Sequence, residues 1–148
     1  MELNTASATI SFAKKLENES AKFYEDLAKR TKDEDVFLSF ANENRKNVTQ
    51  IERAYYGVIT DAIEGCFAFK ISPDEYTFST ELAENSSYSD ALDKAIEMEE
   101  KIIKFYSDAA AQSESLMADI PRAFRLVIKK RSSRRPKLRS LQGSLADG

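Results

Sequence analysis

Four segments of this chain place apolar residues at alternating intervals of three and four, and all four turn polar near the middle. The first seam runs through Ile10, Ala13, Glu17, Ser20, Tyr24 and Leu27, and the second through Phe37, Phe40, Asn44, Asn47, Ile51, Ala54 and Val58. The third carries Leu92, Ala95, Glu99, Ile102, Tyr106 and Ala109, and the fourth Phe124, Val127, Arg131, Arg134, Leu138 and Leu141. A stripe with this period is the face by which one helix packs against another, so four stripes call for four helices around a shared interior. Composition agrees: four Gly and three Pro among 148 residues, with 32% charged and 42% apolar, suit long helices joined by few turns rather than a sandwich or barrel. The expected fold class is therefore all-α, with residues 1–148 as one domain large enough to bury a core without disulfides or a structural metal.

Local signals divide the chain. Helix one is predicted from about Thr5 to Arg30 and helix two from about Asp33 to Gly57, with Thr31 and Glu34 spaced as a capping box. A tight turn between them predicts antiparallel neighbours. From Val58 to Ser87 the period weakens, and Ser72-Pro73-Asp74 and Asn85-Ser86-Ser87 are turn signals, so this stretch reads as a long crossover with room for a short helix. Ser89 and Asp90 offer an N-cap for helix three, which runs to about Ser113. Pro121 suits the first turn of helix four, which reaches about Leu141 unless Pro136 bends or ends it, leaving 142–148 as a frayed tail.

Residues 12–30 align without gaps on 94–112, pairing Ala13/Ala95, Glu17/Glu99, Lys22/Lys104, Phe23/Phe105, Tyr24/Tyr106, Asp26/Asp108 and Ala28/Ala110. Seven identities in nineteen positions at a constant offset point to an internal duplication.

The chain contains no histidine. That excludes the usual general base, the Ser-His and Cys-His nucleophile pairs, and the commonest metal ligand. The one cysteine, Cys66, reads as an inert small apolar residue. No stretch has the apolar length of a signal peptide or membrane span, which predicts a cytoplasmic protein without a membrane partner. Charge is unevenly spread: residues 1–128 carry 15 basic and 24 acidic groups, whereas 129–148 carry 7 basic and 1 acidic.

One polar seam position on helices one and three, and a pair spaced i, i+3 on helices two and four, is the layout of di-iron carboxylate bundles. The segments LENESAKFYEDLA, FANENRKNVTQIE and IEMEEKIIKFYSDAA resemble the helices of the rubrerythrin and ferritin-like family. There, Glu is followed six residues later by Phe-Tyr, as at Glu17 and Glu99, and a Glu-Glu-x-x-His motif corresponds to Glu43-Asn44-Arg45-Lys46-Asn47. The resemblance implies a ferritin-like up-down four-helix bundle, with the long crossover between helices two and three. The bundle domain alone is implied, since the four-cysteine iron–sulfur module of many rubrerythrins has no counterpart here. The resemblance also implies association through helix faces as a homodimer.

The layout is kept and the ligands are not. Vestigial ligand positions are Glu17, Asn44, Asn47, Glu99, Arg131 and Arg134; a register two residues later in helix four would instead present Ser133 and Pro136, which cannot bind iron either. An Arg about 5 Å from a divalent ion would add repulsion of about 6 kcal/mol at an effective dielectric near 20. The expectation is no metal and no other cofactor, with a buried Glu–Arg–Asn network in their place and a non-catalytic scaffold or interaction role. Tyr24 and Tyr106 are expected in the core with hydrogen-bonded hydroxyls. The alternative is an iron-dependent oxidoreductase, peroxidase or iron-handling protein that recruits Glu43, Glu52 or Glu97 to a rearranged site. A third reading places an anionic partner on the basic run from Lys129 to Arg139, through Lys129, Lys130, Arg135 and Lys137. Nucleic acid is disfavoured there because no aromatic residues interleave the cations.

Overall fold

The protein is described by a computed structural model covering residues 2–58, 69–113 and 119–147, with the side chains of Val58 and of 145–147 outside that description. Cys66 also lies outside the described residues. Helix α1 spans Ala6–Ala28, α2 Glu34–Val58, α3 Tyr88–Ser113, α4 Asp119–Ser132 and α5 Arg134–Asp147. The all-α expectation holds. The fourth limb of the bundle is built from two helices, α4 and α5, and the described part of the connection between α2 and α3 includes a 3₁₀ turn at Pro73–Tyr76.

Thr5 caps α1, its hydroxyl accepting from the Ala8 N–H at 3.0 Å. The predicted capping box on α2 does not form. The Thr31 hydroxyl instead accepts from the Asp33 N–H at 3.1 Å, and the Asp33 carboxylate is taken by the Tyr88 hydroxyl at 2.6 Å, so the helix starts at Glu34. At α3 the cap is Ser87, which accepts from the Asp90 N–H at 3.0 Å, two positions before the predicted Ser89. Pro136 acts at a distance. Its ring and missing N–H are incompatible with the carbonyl four residues back, so the helix is interrupted at Ser133 and Pro136 sits harmlessly in the first turn of α5. The Ser133 hydroxyl donates to the Lys130 carbonyl at 2.7 Å, serving one acceptor that the interruption frees. Beyond the break the helix continues past Leu141 to Asp147.

Contacts give the directions of the limbs. Asn44 bonds Ser20 while Asn47 bonds Glu17, and Lys14 reaches Glu52, so α1 and α2 are antiparallel. Tyr24 meets Glu99 while Phe12 meets Phe105, which makes α1 and α3 antiparallel. Helices α2 and α3 therefore run the same way, as the Tyr88–Asp33 bond between their starts also requires. The connection between them must return along the bundle, and strict alternation of direction stops there. Part of this connection is fastened to the N-terminus, with the Leu3 N–H donating to the Ile71 carbonyl at 2.7 Å and the Phe69 N–H to Asn4 at 3.2 Å.

The described seam residues of all four limbs are buried, except Ala54 and Leu141, which are half-buried. Aromatic groups thicken the core on both sides of the polar level: Tyr24 stacks on Phe37 at 5.9 Å and meets Phe40 edge-on at 5.2 Å, while Tyr106 packs on Phe105 at 5.2 Å and Phe124 at 5.6 Å. Among the described residues, no helix is long and apolar enough to cross a membrane. Phe37, fully buried in this cluster, and Leu38, 36% exposed beside it, provide a contrast on one helix. Phe37→Ala is expected to cost ~3–5 kcal/mol and Leu38→Ala less than ~0.5 kcal/mol, measured by urea denaturation.

Candidate functional site: a buried ionic centre

Each limb delivers polar side chains to one level in the interior. Glu17, Asn44, Asn47, Glu99 and Arg131 have no solvent exposure and Arg134 has 1%. The seam register of the fourth limb is the one that places the two arginines inside; Ser133 and Pro136 are exposed.

Arg131 is the hub. Its Nη1 donates to both oxygens of Glu99, at 2.6 and 2.8 Å, while its Nη2 donates to Glu17 Oε2 and, at 3.1 Å, to Asn44 Oδ1. Arg134 extends the network outward. Nη1 donates to Glu99 Oε2 at 3.2 Å, and Nη2 to Glu43 Oε1 at 2.7 Å and to the Phe40 carbonyl at 3.1 Å. The Arg134 guanidinium also lies over the rings of Phe40, at 4.8 Å, and Tyr24, at 5.6 Å. On the amide side, Asn47 donates to Glu17 Oε1 at 2.8 Å and Asn44 to the Ser20 hydroxyl at 2.9 Å. The four buried charges cancel, and the half-buried carboxylate of Glu43 meets the outer edge of Arg134.

The duplicated halves exchange partners across the centre. The Tyr24 hydroxyl, from the first half, donates to Glu99 Oε2 of the second at 2.7 Å. Tyr106, from the second half, turns its hydroxyl toward Glu17 of the first, but outside hydrogen-bonding geometry, so its expected bond is missing. Asn47 Oδ1 and Arg131 Nε are likewise buried without a hydrogen-bond partner among the described residues. Both phenols are pushed well above their ordinary value, first by burial and then by the facing carboxylate, Glu99 for Tyr24 and Glu17 for Tyr106. Both stay protonated, and of the two only Tyr24 donates a hydrogen bond. Burial would raise the Glu99 carboxyl, but Arg131 and Arg134 beside it, with the Tyr24 bond, outweigh burial and hold it below its ordinary 4.5. Burial likewise opposes the charge of Arg131, and the two glutamates reverse that, keeping the guanidinium protonated.

The di-iron pair implied by the resemblance does not fit these residues. Every oxygen of Glu17 and Glu99 already accepts a hydrogen bond, and Arg131 places a positive charge between these two fully buried carboxylates. The candidates for a rearranged site are dispersed: Glu43 serves Arg134, Glu52 pairs with Lys14 at 3.0 Å, and Glu97 is exposed. Among the described residues, no three acidic or cysteine side chains are grouped to hold a metal ion. The residues of the basic run have different surroundings. Arg131 and Arg134 point inward, Arg135 pairs with Glu100 at 3.2 Å, Lys130 bonds Gln50 at 3.2 Å, and Lys137 lies over Phe40 at 6.0 Å. Ser20 and Glu43 are the network members that sequence reasoning did not assign to it. Ser20 was visible as a small polar residue on a buried stripe, and Glu43 as a carboxylate one position off the seam. Comparison with known protein families, with curated proteins and with solved structures found no match to this chain.

Removing one member of a closed ionic group strands its partner's charge in a dry interior. Glu17→Gln is therefore expected to cost ~3–5 kcal/mol, more than simultaneous apolar replacement of Glu17, Glu99, Arg131 and Arg134; urea titrations of both variants check this. For Glu99, a folded value below 4.5 means the unfolded chain takes up protons first as pH falls. Its contribution is complete above that ordinary value and is lost as pH falls through the folded one. The stability gap between the wild type and Glu99→Gln is accordingly expected to be widest above pH 4.5 and to narrow below it, in urea titrations across pH.

Proposed function

We propose that this chain is a rubrerythrin-like, ferritin-type bundle whose two-metal centre has been replaced by a salt-bridged network, and that it acts without catalysis, as a scaffold or interaction protein. The observation that carries this reading is Arg131, which joins the one seam glutamate of α1 to the one seam glutamate of α3. The supporting geometry is specific. One glutamate lies on each of α1 and α3, and i, i+3 pairs of amides and of arginines lie on α2 and across the α4–α5 break, all at one level, with two limbs running parallel across a long connection. The same positions in a di-metal bundle hold two Glu and two Glu-x-x-His pairs. Here they hold two carboxylates, two amides and two guanidiniums, a set that closes on itself electrically. A cytoplasmic homodimer is the state in which we place it.

Restoring the ligands tests the reading. Purified after growth in excess iron, the wild-type protein is expected to contain little of the metal. The variant combining Asn44→Glu, Asn47→His, Arg131→Glu and Arg134→His is expected to take up about two equivalents of ferrous iron. About two equivalents in the wild type, with oxygen or peroxide turnover, would overturn the proposal, as would a folded quadruple variant that binds none.

A further inference from the structure

Outside the buried network, α2 and α4 face each other across small side chains. Ala54 and Gly57 on α2 oppose Ala123 on α4, and residues this short cannot close the space between two helices. The result is an open groove with two adjoining sections. One is lined by Lys46, Thr49, Gln50, Arg53 and Lys130. It holds three cations and no carboxylate. Lys46 and Arg53 form no ion pair among the described residues, and the Lys130 ammonium meets only the neutral Gln50 oxygen, at 3.2 Å. By contrast, Lys14, Arg45, Arg135 and Arg139 each face a carboxylate. The second section shares Gln50 and Arg53 with the first and continues over Ala54, Gly57, Ala123 and Leu126, the last 40% exposed. Its one acid, Asp119, is paired with Arg122 at 3.7 Å.

We propose that this groove binds a small amphiphilic organic anion, with its charged head at Lys46, Arg53 and Lys130 and its apolar body over Ala54, Gly57, Ala123 and Leu126. A phosphate monoester matches the head section chemically. Two ammonium groups supply point charges, Arg53 supplies a planar fork for paired oxygens, and Thr49 and Gln50 supply neutral donors. Clustered like charges that repel in the free protein are offset by such a head, and the half-covered apolar row beside them is dried by the body. The proposal is independent of the buried centre. Lys130 and Arg131 are sequence neighbours about 100° apart around α4, one in the groove and one in the interior, so iron measurements on the network neither support nor weaken it.

Calorimetric titration of the full chain with dodecyl phosphate, below the concentration at which it forms micelles, tests the site. Saturable binding at one site is expected, with inorganic phosphate and dodecanol each binding more weakly. The double charge reversal Lys46→Glu/Arg53→Glu is expected to weaken it by about tenfold or more. Gly57→Leu is expected to block the apolar section, a Cβ there meeting nothing within 4 Å among the described residues. It too is expected to weaken binding, with thermal melting of both variants confirming intact structure. Undetectable binding, binding unchanged in either variant, or binding to anionic vesicles without binding of the monomer would overturn the proposal.

Discussion

A guanidinium with no access to water, held between two carboxylates that also have none, is the interaction around which this bundle is organised. Arg131 satisfies Glu17 and Glu99 at once, and either glutamate without it would be an ion in an apolar interior. Such a charge costs several kcal/mol in a protein whose net stability is on the order of ten. Apolar seams alone tolerate sliding by a turn, because Leu, Ile and Phe pack in many registers. A polar level shared by four limbs does not, since a slipped limb would leave charges facing hydrocarbon. The network thus acts as a register pin even where it adds little to stability.

The pin is built from a repeated element used twice. Glu17 and Glu99 occupy equivalent places in the duplicated segments, and each is approached by the tyrosine of the other half. Antiparallel packing of α1 on α3 makes that exchange possible, since a residue two turns beyond one glutamate comes back to the level of the other. The halves then diverge in what they add: α2 contributes neutral amides and the α4–α5 limb contributes cations. The two acids are balanced by two bases from one limb, so the centre is neutral but unsymmetrical.

The interruption at Ser133 is part of the same arrangement. Pro136 forces a break in the fourth limb, with Arg131 two residues before it and Arg134 directly after it. Arg131 lies in the last turn of α4, where the carbonyl end of the helix favours a cation. Arg134 opens α5, where the dipole disfavours one, and Glu43, Glu99 and the Phe40 carbonyl compensate.

Much of this was legible in the residues alone. Seam periodicity located the four limbs and named Glu17, Asn44, Asn47, Glu99, Arg131 and Arg134 as one level, because burial imposes a period that solvent-facing positions lack. Helix starts were less legible. Thr31 and Ser89 have the right chemistry for caps, but the Asp33 carboxylate was taken by Tyr88 once α2 and α3 were side by side, and Ser87 capped α3 through the Asp90 N–H. Which of two registers the fourth limb adopts, that Glu43 turns inward to Arg134, and that Tyr106 misses the bond its counterpart makes were decided only in three dimensions. The sequence by itself determined that four helices would meet at a polar centre, since local period and residue type carry that information. Only the tertiary structure decided which donor meets which acceptor, because that depends on ångström-scale distances between limbs far apart along the chain.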